Sequence, residues 1–200
     1  MTILAIETST QRGSVAVLSN GRVLYEQAFQ AERGHSAQMF GCLEAACVFC
    51  DECDRIAVGL GPGSYSGVRI AISAAIGLGM ALRAELAGLV SATALDVPAS
   101  HYAMIGDARR GAFYYAEVRD SECVNGPVLL PADELARKLA ESALPVFSDT
   151  PLVDFPQADL AFPSAAKLAR LAAEDRGIIQ RETLEPLYLR EPHITQPKAK

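Results

Sequence analysis

The chain has 200 residues, half of them hydrophobic, with a formal net charge of −6. That length and apolar content suffice for one domain or two small lobes. The acidic balance excludes unaided nucleic-acid binding through a basic stripe, so any work on nucleic acid is expected to go through a more basic partner. The most apolar run, Ile70–Leu82, is bracketed by Arg69 and Arg83 and falls short of the roughly 18 apolar residues that span a bilayer. Met1-Thr2 leads directly into an apolar strand carrying Glu7, which argues against a signal peptide. Five cysteines, an odd number, fit a reducing compartment better than a disulfide framework. A cytosolic location is expected.

In chain order, Thr2–Glu7 reads as a short buried strand, Gly13–Ser19 as a second and Arg22–Phe29 as a third. Asn20-Gly21 is a strong two-residue hairpin signal, so an antiparallel meander opens the chain. Ser36 is the expected N-cap of a helix running to about Cys50, with Met39, Phe40, Leu43, Ala46, Cys47 and Cys50 at helical spacing. Strand Arg55–Leu60, a glycine-rich loop, a helix over about Val68–Leu82 and strand Leu86–Leu89 follow. That order, βββαβαβ, is the plan of a ribonuclease-H-like lobe. A second pass has strands at Tyr102–Asp107 and Ala112–Arg119, an edge piece at Pro127–Leu130 and a helix from Asp133 to about Ser142. It closes with a strand remnant at Pro145–Ser148, a helix over Ala165–Asp175 capped by Ser164, and a proline-punctuated tail. The boundaries drawn are 1–98 for the first lobe and 99–200 for an abbreviated second lobe and tail.

The loop Gly61-Pro62-Gly63-Ser64-Tyr65-Ser66-Gly67 joins a buried strand to a helix, a natural seat for a phosphate. Gly61, Gly63, Ser64 and Gly67 are its candidate cradle residues. Its glycines run GxGxxxG and no Gly-Lys-Ser/Thr follows, so neither the dinucleotide nor the Walker signature is met. A tight structural turn is the competing reading. His35 reads as a capping or surface residue rather than a base, since no acid or nucleophile neighbours it. Cys47, Cys50 and Cys53 are spaced C-x2-C-x2-C, but no fourth ligand is spaced to close a metal site unless Cys42 or Cys123 folds back. Core packing is the preferred reading, with Cys47 and Cys50 on one helix face.

Four segments together resemble the TsaB family, also called YeaZ. Leu4-Ala5-Ile6-Glu7-Thr8-Ser9 with Gly13-Ser14-Val15-Ala16-Val17 is similar to its first strand pair, and Gly61–Arg69 to its GPGSFTGLR loop. Asp107-Ala108-Arg109-Arg110-Gly111 with Phe113-Tyr114 resembles its DARMGEVY stretch, and Pro186-Leu187-Tyr188-Leu189-Arg190 its closing P-x-YLR. The resemblance implies an α/β, two-lobed ribonuclease-H-like, actin-like ATPase (ASKHA) fold with a shortened second lobe. It implies a role in making N6-threonylcarbamoyladenosine, next to the anticodon of tRNAs that read codons beginning with A. In that family the protein is a non-catalytic partner of the transferase TsaD, and the pair engages the ATPase TsaE. It contacts tRNA only through the complex.

TsaD holds a metal through H-x-x-x-H after the strand that Leu86–Leu89 matches. Here the segment reads Val90-Ser91-Ala92-Thr93-Ala94-Leu95, without a ligand, so no metal is expected. Ser148-Asp149-Thr150-Pro151 lacks the glycines of a second phosphate loop, which counts against an ATP cofactor and leaves weak nucleotide binding open. Glu7, Asp107 and Arg109 are expected at the cleft between lobes. The long second helix is apolar nearly all round and needs cover on every side. A symmetric homodimer through His35, Met39, Leu43, Arg69, Ala71, Ala74 and Gly77 is expected, with TsaD competing for the same surface. The alternative function is an independent ATP-dependent phosphotransferase using Glu7 and the Gly61–Gly67 loop.

Overall fold

The computed structural model describes residues 1–30, 35–50 and 52–190, with the side chains of His35 and Ser36 outside the description. Strands β1 (Thr2–Glu7), β2 (Arg12–Ser19) and β3 (Arg22–Gln30) form the expected meander. Its first turn places Asn20 and Gly21 both at positive φ, 48° and 79°, as a primed hairpin turn requires. Helix α1 (His35–Cys47) starts one residue before Ser36, so Ser36 lies inside the first turn rather than capping it. The helix also ends at Cys47, which removes the basis for placing Cys47 and Cys50 on one helical face.

Strands β4 (Arg55–Gly59) and β5 (Glu85–Leu89) flank helix α2 (Tyr65–Leu82) and extend the sheet in parallel beside β1. Alternation along the strands sends side chains to opposite faces. Leu4, Ile6, Val15, Val17, Ile56 and Val58 face α1 and α2. Ile3, Ala5, Ala16, Ala57, Ala87 and Leu89 face the other way and are covered by α4 (Ala165–Ala173). Small residues on both sides of that second contact, including Ala165, Ala169 and Ala172, let helix and sheet approach closely.

The second sheet has the order β10-β9-β6-β7-β8, with β6 (His101–Asp107), β7 (Ala112–Arg119), β8 (Glu122–Pro131), β9 (Val146–Ser148) and β10 (Asp159–Leu160). Helix α3 (Ala132–Glu141) covers one face, where Leu135 and Leu139 meet Ala103, Ile105, Phe113 and Tyr115. Its N-cap position is Pro131, not Asp133, which sits in the first turn where a carboxylate favours the helix dipole. The opposite face, with Tyr102, Met104 and Tyr114, turns to Val90, Ala92 and Leu95 from the first lobe and to Leu187 and Leu189 of the tail.

The division at 98/99 needs amending. Helix α4 packs on the first sheet, and β11 (Ile178–Gln180) joins that sheet at its edge beside β5. Residues 165–180 thus complete the first lobe, because the alanine-rich underside of β1, β2 and β4 would otherwise be bare. Arg55 pins this return. Its guanidinium donates to Ala172 O and pairs with Asp175 at 2.9 Å and Glu85 at 2.8 Å. Arg55→Ala is expected to cost about 2 kcal/mol, since charge-assisted bonds from a nearly buried guanidinium are lost. Urea unfolding of the variant checks this, and an unchanged midpoint would contradict it.

Candidate functional site

The glycine loop follows β4 and turns into α2. Ser64 caps the helix, its hydroxyl accepting from Gly67 N–H. This side-chain cap sets the helix start at Tyr65, three residues before the expected Val68. The loop is clasped against the end of β1. Ser64 N–H donates to Ser9 O at 2.6 Å, Thr8 Oγ1 donates to Gly67 O, and Gly61 N–H donates to Ser91 Oγ. Three of the four candidate cradle residues, Gly61, Ser64 and Gly67, therefore spend their N–H groups inside the protein. Gly63 is required for another reason. A Cβ there would stand 2.0 Å from Ser9 O, and its φ is 153°.

Glu7 ends β1 and is fully buried. One carboxyl oxygen accepts from Ser9 N–H at 2.6 Å, while Oε2 has no partner in hydrogen-bond geometry. Gly59 makes room for it: a Cβ at Gly59 would meet Glu7 Oε2 and Ser91 Oγ, both under 3.0 Å away. Burial raises the carboxyl's pKa above its usual 4.5, with Ser9 and Ser91 offsetting part of the effect. The folded protein then binds this proton more tightly than the unfolded chain, so the contribution to stability is full below about pH 4.5 and is lost as pH rises. Glu7→Gln is expected to gain stability relative to wild type as pH is raised from 4 to 8. A pH series of melting temperatures checks this, and a difference independent of pH would contradict it.

Asp107 ends β6 and folds onto its own turn, accepting from Arg109 N–H at 2.6 Å. Arg109, Arg110 and Gly111 all take positive φ in that turn. The Arg109 guanidinium is exposed and 3.8 Å from Asp107. A cleft of about 620 Å³ opens between the lobes, lined among others by Ser9, Ser64, Asp107, Arg109, Tyr114 and Asp149. Asp107 and Arg109 line this cleft, whereas Glu7 lies buried behind its wall. Tyr114 and Ser9 stood in the sequence only as parts of the family-like segments, not as cleft residues. Tyr114 sits opposite Gly106 in the β6–β7 register, and a Cβ at Gly106 would strike its phenol ring. The Ala108–Gly111 turn fixes that register, so the hairpin itself carried the signal.

The expected interface divides into two groups. Met39, Leu43 and Ala71 are corrected: they are buried in the core against the first sheet and cannot meet a partner. Arg69 and Gly77 are exposed and Ala74 is half-buried, while the His35 side chain lies outside the described residues. On α2, residues Arg69, Ser73, Ile76, Gly77 and Met80 are exposed and recur at helical spacing, forming one outward stripe. The helix is long and apolar enough to cross a membrane by composition alone, but its other face packs into the core.

Cys50 and Cys53 are buried and Cys47 is exposed, all as free thiols. Contact between the buried pair pushes the Cys50 thiol up and the Cys53 thiol down to about 7. Among the described residues no group of three or more His, Cys, Asp or Glu is arranged to hold a metal.

The family model for TsaD, the tRNA N6-adenosine threonylcarbamoyltransferase, matches residues 29–180. The chain is 33% identical over 122 residues to the tRNA threonylcarbamoyladenosine biosynthesis protein TsaB of Bacillus subtilis, covering 57% of this chain and 53% of that protein. It thus spans about half the length of that relative. Haemophilus influenzae TsaB is 25% identical over 222 residues, covering 95% of this chain and 94% of the relative. A Pseudomonas aeruginosa protein described as similar to peptidase YEAZ superposes with a TM-score of 0.76 at 28% identity, covering 94% of this chain and 99% of that one. A structure of YeaZ from the same organism gives 0.76 at 25%. These likenesses agree with the two-sheet α/β arrangement and with an actin-like ATPase type of fold.

Proposed function

We propose that this chain, which belongs to the tRNA N6-adenosine threonylcarbamoyltransferase family and within it to the TsaB (YeaZ) branch, serves threonylcarbamoyladenosine formation in tRNA as a non-catalytic subunit. It binds and positions the catalytic paralogue TsaD, next to which TsaE docks, and it meets tRNA only through that assembly in the cytoplasm. The product lies beside the anticodon of tRNAs reading codons that begin with A. Alone, the chain pairs with a second copy through the surface that TsaD takes over.

The observation that carries this reading is the outward stripe of α2. Met80 is 79% exposed and Ile76 and Gly77 lie beside it on the same face. The stripe continues into a groove of about 720 Å³ lined by Ile76, Met80, Leu86 and Leu184. Contiguous apolar surface of this kind marks association sites, and an isologous patch can accept a structural relative in place of its own copy. The chemistry-bearing positions support the same reading. Glu7 is sealed away from the cleft and burial raises its pKa, disfavouring the charged carboxylate, so it is poorly placed to hold a cation. The glycine loop works as a clasp between β1 and α2, with the N–H groups of Gly61, Ser64 and Gly67 already engaged.

The rival is an independent phosphotransferase acting through Glu7 and the Gly61–Gly67 loop. Purified chain incubated with ATP distinguishes them. The scaffold reading expects no turnover by wild type, and turnover abolished by Glu7→Ala would establish the rival.

A further inference from the structure

Outside the partner stripe, the interlobe cleft holds polar groups that the scaffold role leaves unused. Ser9 Oγ and Tyr114 OH are both buried and both residues line the cleft; neither hydroxyl closes a hydrogen bond of full geometry, with Ser9 beside the Glu7 carboxyl and Tyr114 beside the Asp149 carboxyl. Burying such hydroxyls unmatched costs free energy unless something completes them. The same inner wall carries Asp149, whose carboxyl is pushed above its usual range by desolvation and has no basic partner among the described residues. Asp149 is the nearest charged group acting on Tyr114, with Glu7 behind it. Asp107 and the exposed Arg109 also line the cleft. Ser9, Tyr114 and Asp149 thus bring hydroxyl and carboxylate oxygens to the cleft with no cation among the three, a set suited to a ligand rich in N–H donors and unfavourable to a phosphate.

The cleft adjoins a largely apolar pocket of about 260 Å³ walled by Leu60, Pro62, Val68, Leu129 and Leu187, with the exposed Arg190 also on its lining. Both spaces share Gly63, Ser64, Tyr65, Asp107 and Tyr114, so a single molecule can occupy both. We propose that the interlobe cleft is a binding site for a small ammonium-bearing molecule with an apolar tail, its ammonium held by Asp149, Tyr114 OH and Ser9 Oγ and its tail in the Leu60–Leu187 pocket. The site lies on the isolated chain and does not depend on association with a paralogue, so it stands or falls separately from the scaffold role.

Titration of the full chain with phenethylammonium, followed by amide chemical shifts in NMR, tests this. Saturable shifts centred on Ser9, Tyr114 and Asp149 are expected, with 3-phenylpropionate, the anionic counterpart, producing none. Asp149→Asn and Tyr114→Phe should each weaken the amine about tenfold, the scale of one charge-assisted hydrogen bond, while leaving the spectrum of a folded protein. If Asp149→Asn does not fold, Tyr114→Phe carries the test alone. Equal binding of the anion, undiminished binding by a folded variant, an adventitious additive only at non-saturating shifts, or no binding would each overturn the proposal.

Discussion

Met80→Glu is expected to leave the chain folded and monomeric while weakening its association with TsaD by about a hundredfold or more. Met80 is 79% exposed on the outward stripe of α2, so a glutamate there meets only water in the free chain and costs the fold little. In a complex that buries the stripe, the same carboxylate would be desolvated without a partner, the most costly kind of interface change. Gly77→Arg should act alike, because nothing lies within 4 Å of a Cβ at that position. Met39→Glu is the control that separates surface from core. Met39 is 0% exposed among Leu43, Ala46 and the first sheet, so its variant should fail to fold. Sedimentation and a pull-down with tagged TsaD read both outcomes. Retained association by folded Met80→Glu and Gly77→Arg would place the interface elsewhere.

Gly63→Ala is expected to be severely damaging for a single added methyl, at about 3 kcal/mol or more of lost stability. The new Cβ would stand 2.0 Å from Ser9 O, a backbone atom that cannot rotate away, and the φ of 153° disfavours any side chain. Relief requires the loop to lift off β1, which breaks the bond between Ser64 N–H and Ser9 O and loosens the start of α2. Association with TsaD should then weaken too, through the displaced helix rather than through contact. Gly77→Ala offers the contrast: an open, helical position where alanine should be neutral or stabilising. Chemical denaturation of the two variants in parallel checks the pair, and equal stabilities would contradict the clasp.

Local chemistry was legible in the residues; allocation of faces was not. Asn20-Gly21 announced the first hairpin because both residues accept positive φ, and Ser164 announced α4 because its hydroxyl can take Lys167 N–H. The spacing of Met39, Leu43 and Ala46 showed an apolar stripe but could not say whether sheet or partner covers it. The sheet does. Helix α2 looked apolar on all sides, yet only a third of it is buried, since Ser73, Ile76, Gly77 and Met80 share one outer face. The return of α4 and β11 to the first sheet depends on an alanine-rich surface assembled from four strands, a pattern no local window contains.

The candidate site was read in a similar way. Asp107 and Arg109 reach the cleft because their turn ends β6 there. Glu7 was placed one layer too far out: it ends its strand behind Gly59, facing inward. The glycine loop had two readings in the sequence, phosphate seat or tight turn. The N–H groups of Ser64 and Gly61, donated to Ser9 O and Ser91 Oγ, favour the turn, because a donor already satisfied has little left to offer a phosphate.

The most direct test is reconstitution of tRNA threonylcarbamoylation from purified TsaD, TsaE and the adenylate-forming enzyme, with and without this chain. Modified adenosine should appear with wild type and with Glu7→Gln, and should be lost with Met80→Glu or with the chain omitted. Full modification in its absence, or equal support from Met80→Glu, would contradict a role exercised by docking against a catalytic relative.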